Sequence, residues 1–352
     1  MLNIKQPAFL IKIVNFEYWP YWVFYIPLYF YGFYLAFRSR SLTYFSATNP
    51  GMKYGGVMGE SKISVLNKIQ PAFLPKTIFL EKGKSINEYY SLIESINLSF
   101  PLIVKPNIGE RGKGVEKINS KAELDTYFSS HNEDLLVQEY IDFHLELGIL
   151  YYRYPGKPQG DISSVVVKGF LTIEGNGNST LQELVENNTR AKGRKAYLQA
   201  KFEDKWKEII PKGTQLLLEP IGNHCRGTVF KNGNHLINSQ LVNVINEIAC
   251  GIEGYYYGRF DLRVKSLEDL YKGENIKILE LNGVSSEPAH IYDPSMKLWK
   301  AYKDVFKHAK IIWEIGRANH KKGVPYTSLN TFLKDLKIHF FPQPAELNPN
   351  SI

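Results

Sequence analysis

The chain has 352 residues, 44% of them hydrophobic, and a net charge of +8. That is the balance of a folded, enzyme-sized protein with room for two or three lobes. The charge suits an anionic ligand or an anionic surface, but no basic arm or RNA-binding motif accompanies it, which sets nucleic acid aside as a partner. Two cysteines, Cys225 and Cys250, exclude a disulfide framework or a cysteine metal cage and agree with a reducing compartment.

From Tyr18 to Phe37 no residue is charged, and Arg38 and Arg40 close the run. A helix of that length is enough to cross a bilayer core of roughly 30 Å. Pro20, Pro27 and Gly32 interrupt it, however, and Tyr, Trp and Phe outnumber Leu, Ile and Val. Rings with polar tips favour the membrane–water interface. Three readings stand: a broken helix lying in the membrane surface, a true span, or an aromatic arm packed on the body. Membrane contact is preferred, because long exposed apolar surface usually has a partner. A signal peptide is not expected, for want of a short apolar core with a small-residue cleavage site.

Ser61 is a natural N-cap for a short helix reaching about Ile69, stopped by Pro71, with Lys62 in its first turn facing either an anion or solvent. Ser85 or Asn87 opens the next helix, with Tyr90, Ile93 and Ile96 inward. Leu102, Ile103 and Val104 form a buried strand ending at Lys105, followed by a loop containing Gly109, Gly112 and Gly114. Glycines let backbone N–H groups turn towards phosphate oxygens, and Lys105, Arg111 and Lys113 add positive charge. The alternative is a plain flexible turn. It is not a Walker loop, because the lysine precedes the glycines. Ser120 to Glu123 is a capping box, and Leu135 to Ile141 is a buried strand running into a polar turn.

Further on, Gly258 to Val264 and Lys277 to Gly283 alternate apolar and polar residues and predict two strands joined by a reversing loop. Glu280 and Asn282 share a face, and antiparallel pairing brings Asp261 beside them. These oxygen ligands suit a hard cation such as Mg2+, shared with the phosphates of a nucleotide. A half-buried hairpin with solvated acids is the alternative. Val284 to Asp293 is the expected substrate wall, with Ser285, Ser286, Glu287 and His290, and Arg190 and Arg226 are candidates for binding a carboxylate. Asp293 followed by Pro294 predicts a helix start. Beyond it Leu298, Trp299, Tyr302, Phe306, Ile312 and Trp313 form a packing face beside a face of Lys297, Lys300, Lys303, Lys307 and Lys310, and the tail from Phe341 is expected to be loosely ordered.

Taken together, several ordered stretches resemble the motifs of ATP-grasp enzymes such as D-alanine–D-alanine ligases and cyanophycin synthetase-like ligases. They are Ser61-Lys62, the Val104-Lys105-Pro106 strand end with its glycine loop, Val137 to Ile141, and the Gly175-Asn176-Gly177 turn within Thr172 to Leu184. Gly258-Arg259-Phe260-Asp261 and Glu280-Leu281-Asn282 complete the series. The resemblance covers about Glu60 to Pro294. It implies an α+β ATP-grasp fold, two α+β lobes clasping ATP, preceded by a short aromatic N-terminal segment. The expected divisions are 1–45 for that segment, 46–134 for a linker and the small lobe, 135–318 for the large lobe, and 319–352 for a tail.

The resemblance also implies roles. Lys105 would touch the α- and β-phosphates, and the loop with Asn107, Gly109, Arg111, Gly112 and Gly114 would close over the triphosphate. Gln138, Glu139, Tyr140 and Ile141 would form the adenine hinge, Glu146 would take the ribose hydroxyls, and Lys168 would face the γ-phosphate. Asp261, Glu280 and Asn282 would bind one or two Mg2+ ions, with Mn2+ as a substitute, and Arg259 would stabilise the transferred phosphoryl group. The implied activity is an ADP-forming carboxylate–amine ligase that works on ATP through an acylphosphate. Its small carboxylate and amine substrates are unnamed by the sequence. It would be cytoplasmic and peripheral at the inner membrane face, with contact through 18–40. The alternatives are an ATP-grasp phosphotransferase and a membrane-tethered ATP-binding module without turnover. The chain departs from the D-alanine–D-alanine ligases in having only a short stretch before Lys62 in place of their N-terminal α/β domain. The lysine they carry in the following helix falls near Leu66.

Overall fold

The computed structural model describes residues 16–109 and 112–341. Short apolar runs between turn residues become antiparallel sheets. Four strands, β1 (Thr77–Leu80), β2 (Leu102–Pro106), β3 (Glu116–Ile118) and β4 (Leu135–Glu139), lie in the order β1-β4-β2-β3. Helices Ile86–Ser95 and Lys121–Ser130 pack on this sheet through Ile93, Leu102, Leu124 and Val137. Ser85 caps the first helix reciprocally with Glu88, a motif worth about 1 kcal/mol. Its buried side is Tyr89 and Ile93, four residues apart, and not Tyr90 and Ile96. Tyr90 stays at the rim because its hydroxyl needs a polar partner, which it finds in Asp125 at 2.8 Å.

The larger lobe begins with β5 (Leu145–Tyr152) and β6 (Asp161–Gly169). A separate ribbon of β7 (Leu171–Glu174) and β8 (Gln215–Glu219) follows, and then β9 (Val229–Asn232), β10 (Tyr257–Val264) and β11 (Ile276–Asn282). Its main sheet runs β11-β10-β5-β6-β9. Helix Ser239–Cys250 covers one face through Leu241, Ile245 and Ile248 against Ile149, Val165 and Leu262. The other face of the sheet is left to carry polar side chains. The β7–β8 ribbon has a core of its own, with Leu181, Val185, Leu198 and Trp206 from the short helices around it. The sheets and their covering helices make an α+β architecture of two lobes.

The aromatic run becomes one helix, Tyr21–Ser39, that continues through Pro27. Phe24 stacks on Tyr302 with ring centroids 5.0 Å apart, and Trp313 Nε1 donates to Ser39 Oγ at 2.8 Å. The helix is thus packed along the long helix Leu298–Lys321. Among the described residues no helix is long and apolar enough to cross a membrane, so the spanning reading is corrected: the polar-tipped rings keep the hydropathy too low. Packing is one-sided, for Trp22, Phe30 and Phe37 remain 62%, 72% and 83% exposed.

The long helix starts at Leu298, not at Asp293. The Asp293 carboxylate instead accepts from Asn232 N at 2.7 Å and Ser295 N at 2.8 Å, and that turn delays the helix. Trp299 is 61% exposed, while Val305, His308, Ile311 and Ile315 are buried. The expected face was too narrow because the helix is sandwiched: it meets the aromatic helix on one side and Tyr257 and Val284 on the other. Within the stretch expected as a tail, Leu329–Phe340 is helical. The proline-bearing end, 342–352, lies outside the described residues.

Candidate active site

β10 sits between β11 and β5, and this placement assembles the polar centre. Asp261 lies opposite Glu280, and Arg259 opposite Asn282. On the other side Asp261 faces Gly148. A Cβ there would come 3.0 Å from Asp261 Oδ1, so the glycine leaves room for the carboxylate. Arg259 holds Asp261 with two parallel bonds, Nε to Oδ1 at 3.1 Å and Nη2 to Oδ2 at 3.0 Å. Asn282 Nδ2 donates to Oδ2 at 3.2 Å. Lys168, from β6, lies 3.2 Å from Asp261 and 3.1 Å from Glu146. Burial alone would raise the Asp261 pKa, but Arg259 and Lys168 hold it below the ordinary carboxylate value. For Lys168 burial works against the charge, and Asp261 and Glu146 outweigh it, so the ammonium is kept.

From the smaller lobe Lys105, at the end of β2, reaches across the cleft. Its Nζ donates to Leu279 O in β11 at 3.1 Å and to Gln138 Oε1 at 3.2 Å. Burial lowers its pKa to about 8, against the pull of Glu280. Gln138 is anchored in turn through Nε2 to Thr77 Oγ1 at 2.9 Å. Asn107 is occupied as a brace: its Oδ1 accepts from Ile63 N at 3.0 Å and its Nδ2 donates to Ser61 Oγ at 3.1 Å. Gly109 O accepts from Lys62 Nζ at 2.7 Å. Gly112 and Gly114 have φ of 70° and 69°, the left-handed region that glycine allows. Arg111 lies outside the described residues.

In the polar turn after β4, Glu139 accepts from Lys76 N at 3.2 Å. The Lys117 ammonium sits 3.8 Å from the Tyr140 ring centroid. Ile141 O accepts from Arg263 Nη1 at 2.6 Å, and Glu146 is clamped by Arg263 Nε at 2.8 Å as well as by Lys168. A cavity of about 130 Å³ lies among Lys105, Gln138, Tyr140, Glu146 and Ile221. It meets a larger one at Gly112, Lys168, Asp261 and Glu280.

Two groups escaped the reading of the sequence. Arg263 follows Asp261 by two residues and so shares its face, a signal that strand alternation carries. Glu219 collects Arg194 at 2.6 Å and Arg226 at 3.7 Å, and Arg226 Nη2 donates to Gly112 O at 2.7 Å. That clamp ties the ribbon to the glycine loop, and nothing local in the sequence announces it. Arg190 pairs with Glu17 at 2.8 Å. In the expected wall, Ser285 Oγ donates to Gly56 O at 2.9 Å and His290 bridges Ser164 and Asp304 at 2.7 and 3.1 Å. Both are bound up in holding the chain.

Asp261, Glu280 and Asn282 offer oxygen donors only, which fits a hard cation. Among the described residues no three His, Cys, Asp or Glu side chains could hold a metal together. A cation here would therefore draw much of its coordination from phosphates and water, as Mg2+ ordinarily does.

Residues 64–149 match the family described as the RimK-like ATP-grasp domain. Formate-dependent phosphoribosylglycinamide formyltransferase of Sulfurisphaera tokodaii is 29% identical over 98 residues, 26% of this chain and 23% of that protein. The chain thus spans under a quarter of that curated relative's length. Among solved structures, D-alanine–D-alanine ligase from Bacillus anthracis is 17% identical with a TM-score of 0.43, over 78% of this chain and 72% of that one. VanG D-Ala:D-Ser ligase from Enterococcus faecalis is also 17% identical, with a TM-score of 0.40, over 73% and 62%.

Proposed function

We propose that the protein is an ADP-forming ligase that joins a carboxylate to an amine, with Mg-ATP held between the two lobes. The observation that carries this reading is that Lys168 and Arg259 converge on Asp261 while Lys105 reaches Leu279 O, next to Glu280, where two cavities meet. One cavity would hold the nucleotide and the other the acid. A carboxylate oxygen attacks the γ-phosphorus and ADP leaves; an amine nitrogen then attacks the acyl carbon, phosphate leaves, and the amine proton goes to solvent.

Lys105 and Lys168 would neutralise phosphate oxygens. Arg259 would stabilise charge on the transferred phosphoryl group and then on the tetrahedral acyl centre. Asp261, Glu280 and Asn282 would hold Mg2+, which would supply Lewis-acid charge to the phosphates. The loop 107–114, pinned at Gly112 by Arg226, would keep water from the acylphosphate. Gln138 to Ile141 would face the adenine. Glu146 would have to share its carboxylate between the ribose and its two cationic partners.

We further propose that the exposed aromatic face around Trp22, Phe30 and Phe37 rests on a membrane surface, which would make the enzyme peripheral at the cytoplasmic side. A composition rich in Tyr and Phe and a cationic end at Arg38 and Arg40 support it.

The ligase reading is tested with hydroxylamine, which traps acylphosphates as hydroxamates whatever the natural amine. With Mg-ATP and pooled carboxylates, ADP and a carboxylate-dependent hydroxamate should form, and Asp261→Asn should lose both. ADP release with no hydroxamate from any acid would move the chemistry to phosphotransfer, and ATP binding without ADP would leave a binding module.

A further inference from the structure

The larger cavity measures about 1370 Å³, beyond the roughly 300–1,000 Å³ of ordinary small-molecule sites. Its lining includes the polar centre, with Lys168, Arg259, Asp261 and Glu280. It also includes a face of the aromatic helix: Tyr21, Tyr25, Leu28, Tyr29, Gly32 and Ala36. Those positions recur at helical spacing, so a whole side of the helix is given to the cavity. The helix Leu329–Phe340 adds Leu336 and Phe340. A small polar acid at Arg259 would leave this apolar wall in contact with water.

The wall also carries polar points that the protein does not satisfy. His224 Nε2 and Glu60 Oε2 are buried without a hydrogen-bond partner, and both residues line the cavity. Two other acids on the wall are already engaged: Glu17 with Arg190 at 2.8 Å and Glu287 with the Tyr292 hydroxyl at 2.7 Å.

We infer that the carboxylate substrate is amphipathic, its carboxyl group at Arg259 and a long apolar body lying along the helix face 21–36. The inference rests on the ligase reading above and names the class of acid the site takes. Gly32 offers the means to test it. A Cβ at this position would meet nothing within 4 Å, so Gly32→Trp would fill the cavity without forcing the backbone to move. It also replaces a glycine in a helix interior, so the melting temperature should not fall.

The full chain would be assayed with Mg-ATP and hydroxylamine on straight-chain acids from acetate to palmitate, and binding of fluorescent parinarate would be measured without turnover. Longer acids should give lower KM. Gly32→Trp should raise the KM for palmitate by about tenfold or more and weaken parinarate equally, with the KM for ATP unchanged. Hydroxamate from short acids, with no gain from length and no effect of Gly32→Trp, would overturn the inference and leave the ligase reading intact. Parinarate binding that Gly32→Trp abolishes, with no hydroxamate from any acid, would sink the ligase reading and keep the apolar cleft. Parinarate that binds variant and wild type alike, or neither, would overturn the inference.

Discussion

Lys105 reaches from the small lobe to Leu279 O on β11, and its chemistry makes a pH signature. Burial lowers its pKa to about 8, with Lys62 adding to the shift and Glu280 opposing it. In the free enzyme its charge is present below that value and lost above it, so kcat/KM for Mg-ATP should fall as pH rises through about 8. Lys105→Arg keeps a charge that does not titrate, and the alkaline limb should vanish from its profile whatever its absolute rate. A limb unchanged in the variant would assign it to another group. The same shift has a consequence for stability. The folded pKa is depressed below the unfolded 10.5, so the charged lysine burdens the fold fully below about pH 8. Between those values the unfolded chain holds the extra proton, and stability rises with pH. Opposite logic applies to Asp261, whose depressed pKa stabilises the fold above the unfolded value and is lost in acid.

At the level of elements, the long helix is joined to the five-stranded sheet by a buried polar contact. His308 Nδ1 lies 3.0 Å from the Tyr257 hydroxyl on β10. Burial, with Lys307 adding, lowers the His308 pKa to about 3. The imidazole is therefore neutral in the fold, and as pH falls through the unfolded value of 6.5 the unfolded chain gains a proton that the native one refuses. This single group should cost up to about 1.4 kcal/mol of stability per pH unit below that point. Urea midpoints at descending pH should drop more steeply for the wild type than for His308→Gln; equal slopes would remove His308 from the acid response. Local pattern made much of this architecture legible. Strand alternation put Glu280 and Asn282 on one face with Asp261 beside them, and glycines marked the loop after Lys105, while Arg259 came from the family resemblance. What escaped depends on partners distant in the chain. Asn107 braces Ser61, Arg226 holds Gly112 across 114 positions, and Trp299 turns outward because two different surfaces claim the other sides of its helix.

For the molecule as a whole, the aromatic helix serves two surfaces at once. Its inward side is part of the body: Phe24, Tyr25, Leu35 and Ala36 are buried, so deleting the helix would strip the core as well as any membrane contact. Substitutions on the outer face separate the two. Trp22, Phe30 and Phe37 are largely exposed, and Trp22→Ser, Phe30→Ser and Phe37→Ser together should leave the melting temperature unchanged. Each such side chain is worth roughly 1.5–3 kcal/mol when fully buried, so three give reversible binding of the order of a single acyl chain. The exposed lysines Lys300, Lys303, Lys307 and Lys310 would add salt-sensitive attraction to anionic lipid. In vesicle sedimentation the wild type should pellet with anionic vesicles, less with neutral ones or at high salt, and the triple variant should remain in solution with both. Wild-type protein left in the supernatant with anionic vesicles would refute the contact. A wild-type dimer that the triple substitution turns into a monomer would assign the face to a second copy of the chain. If the vesicles do bind it, the cavity wall lies beside the lipid-facing stripe on the same helix, and an apolar acid could pass from bilayer to active site with little of its surface exposed to water.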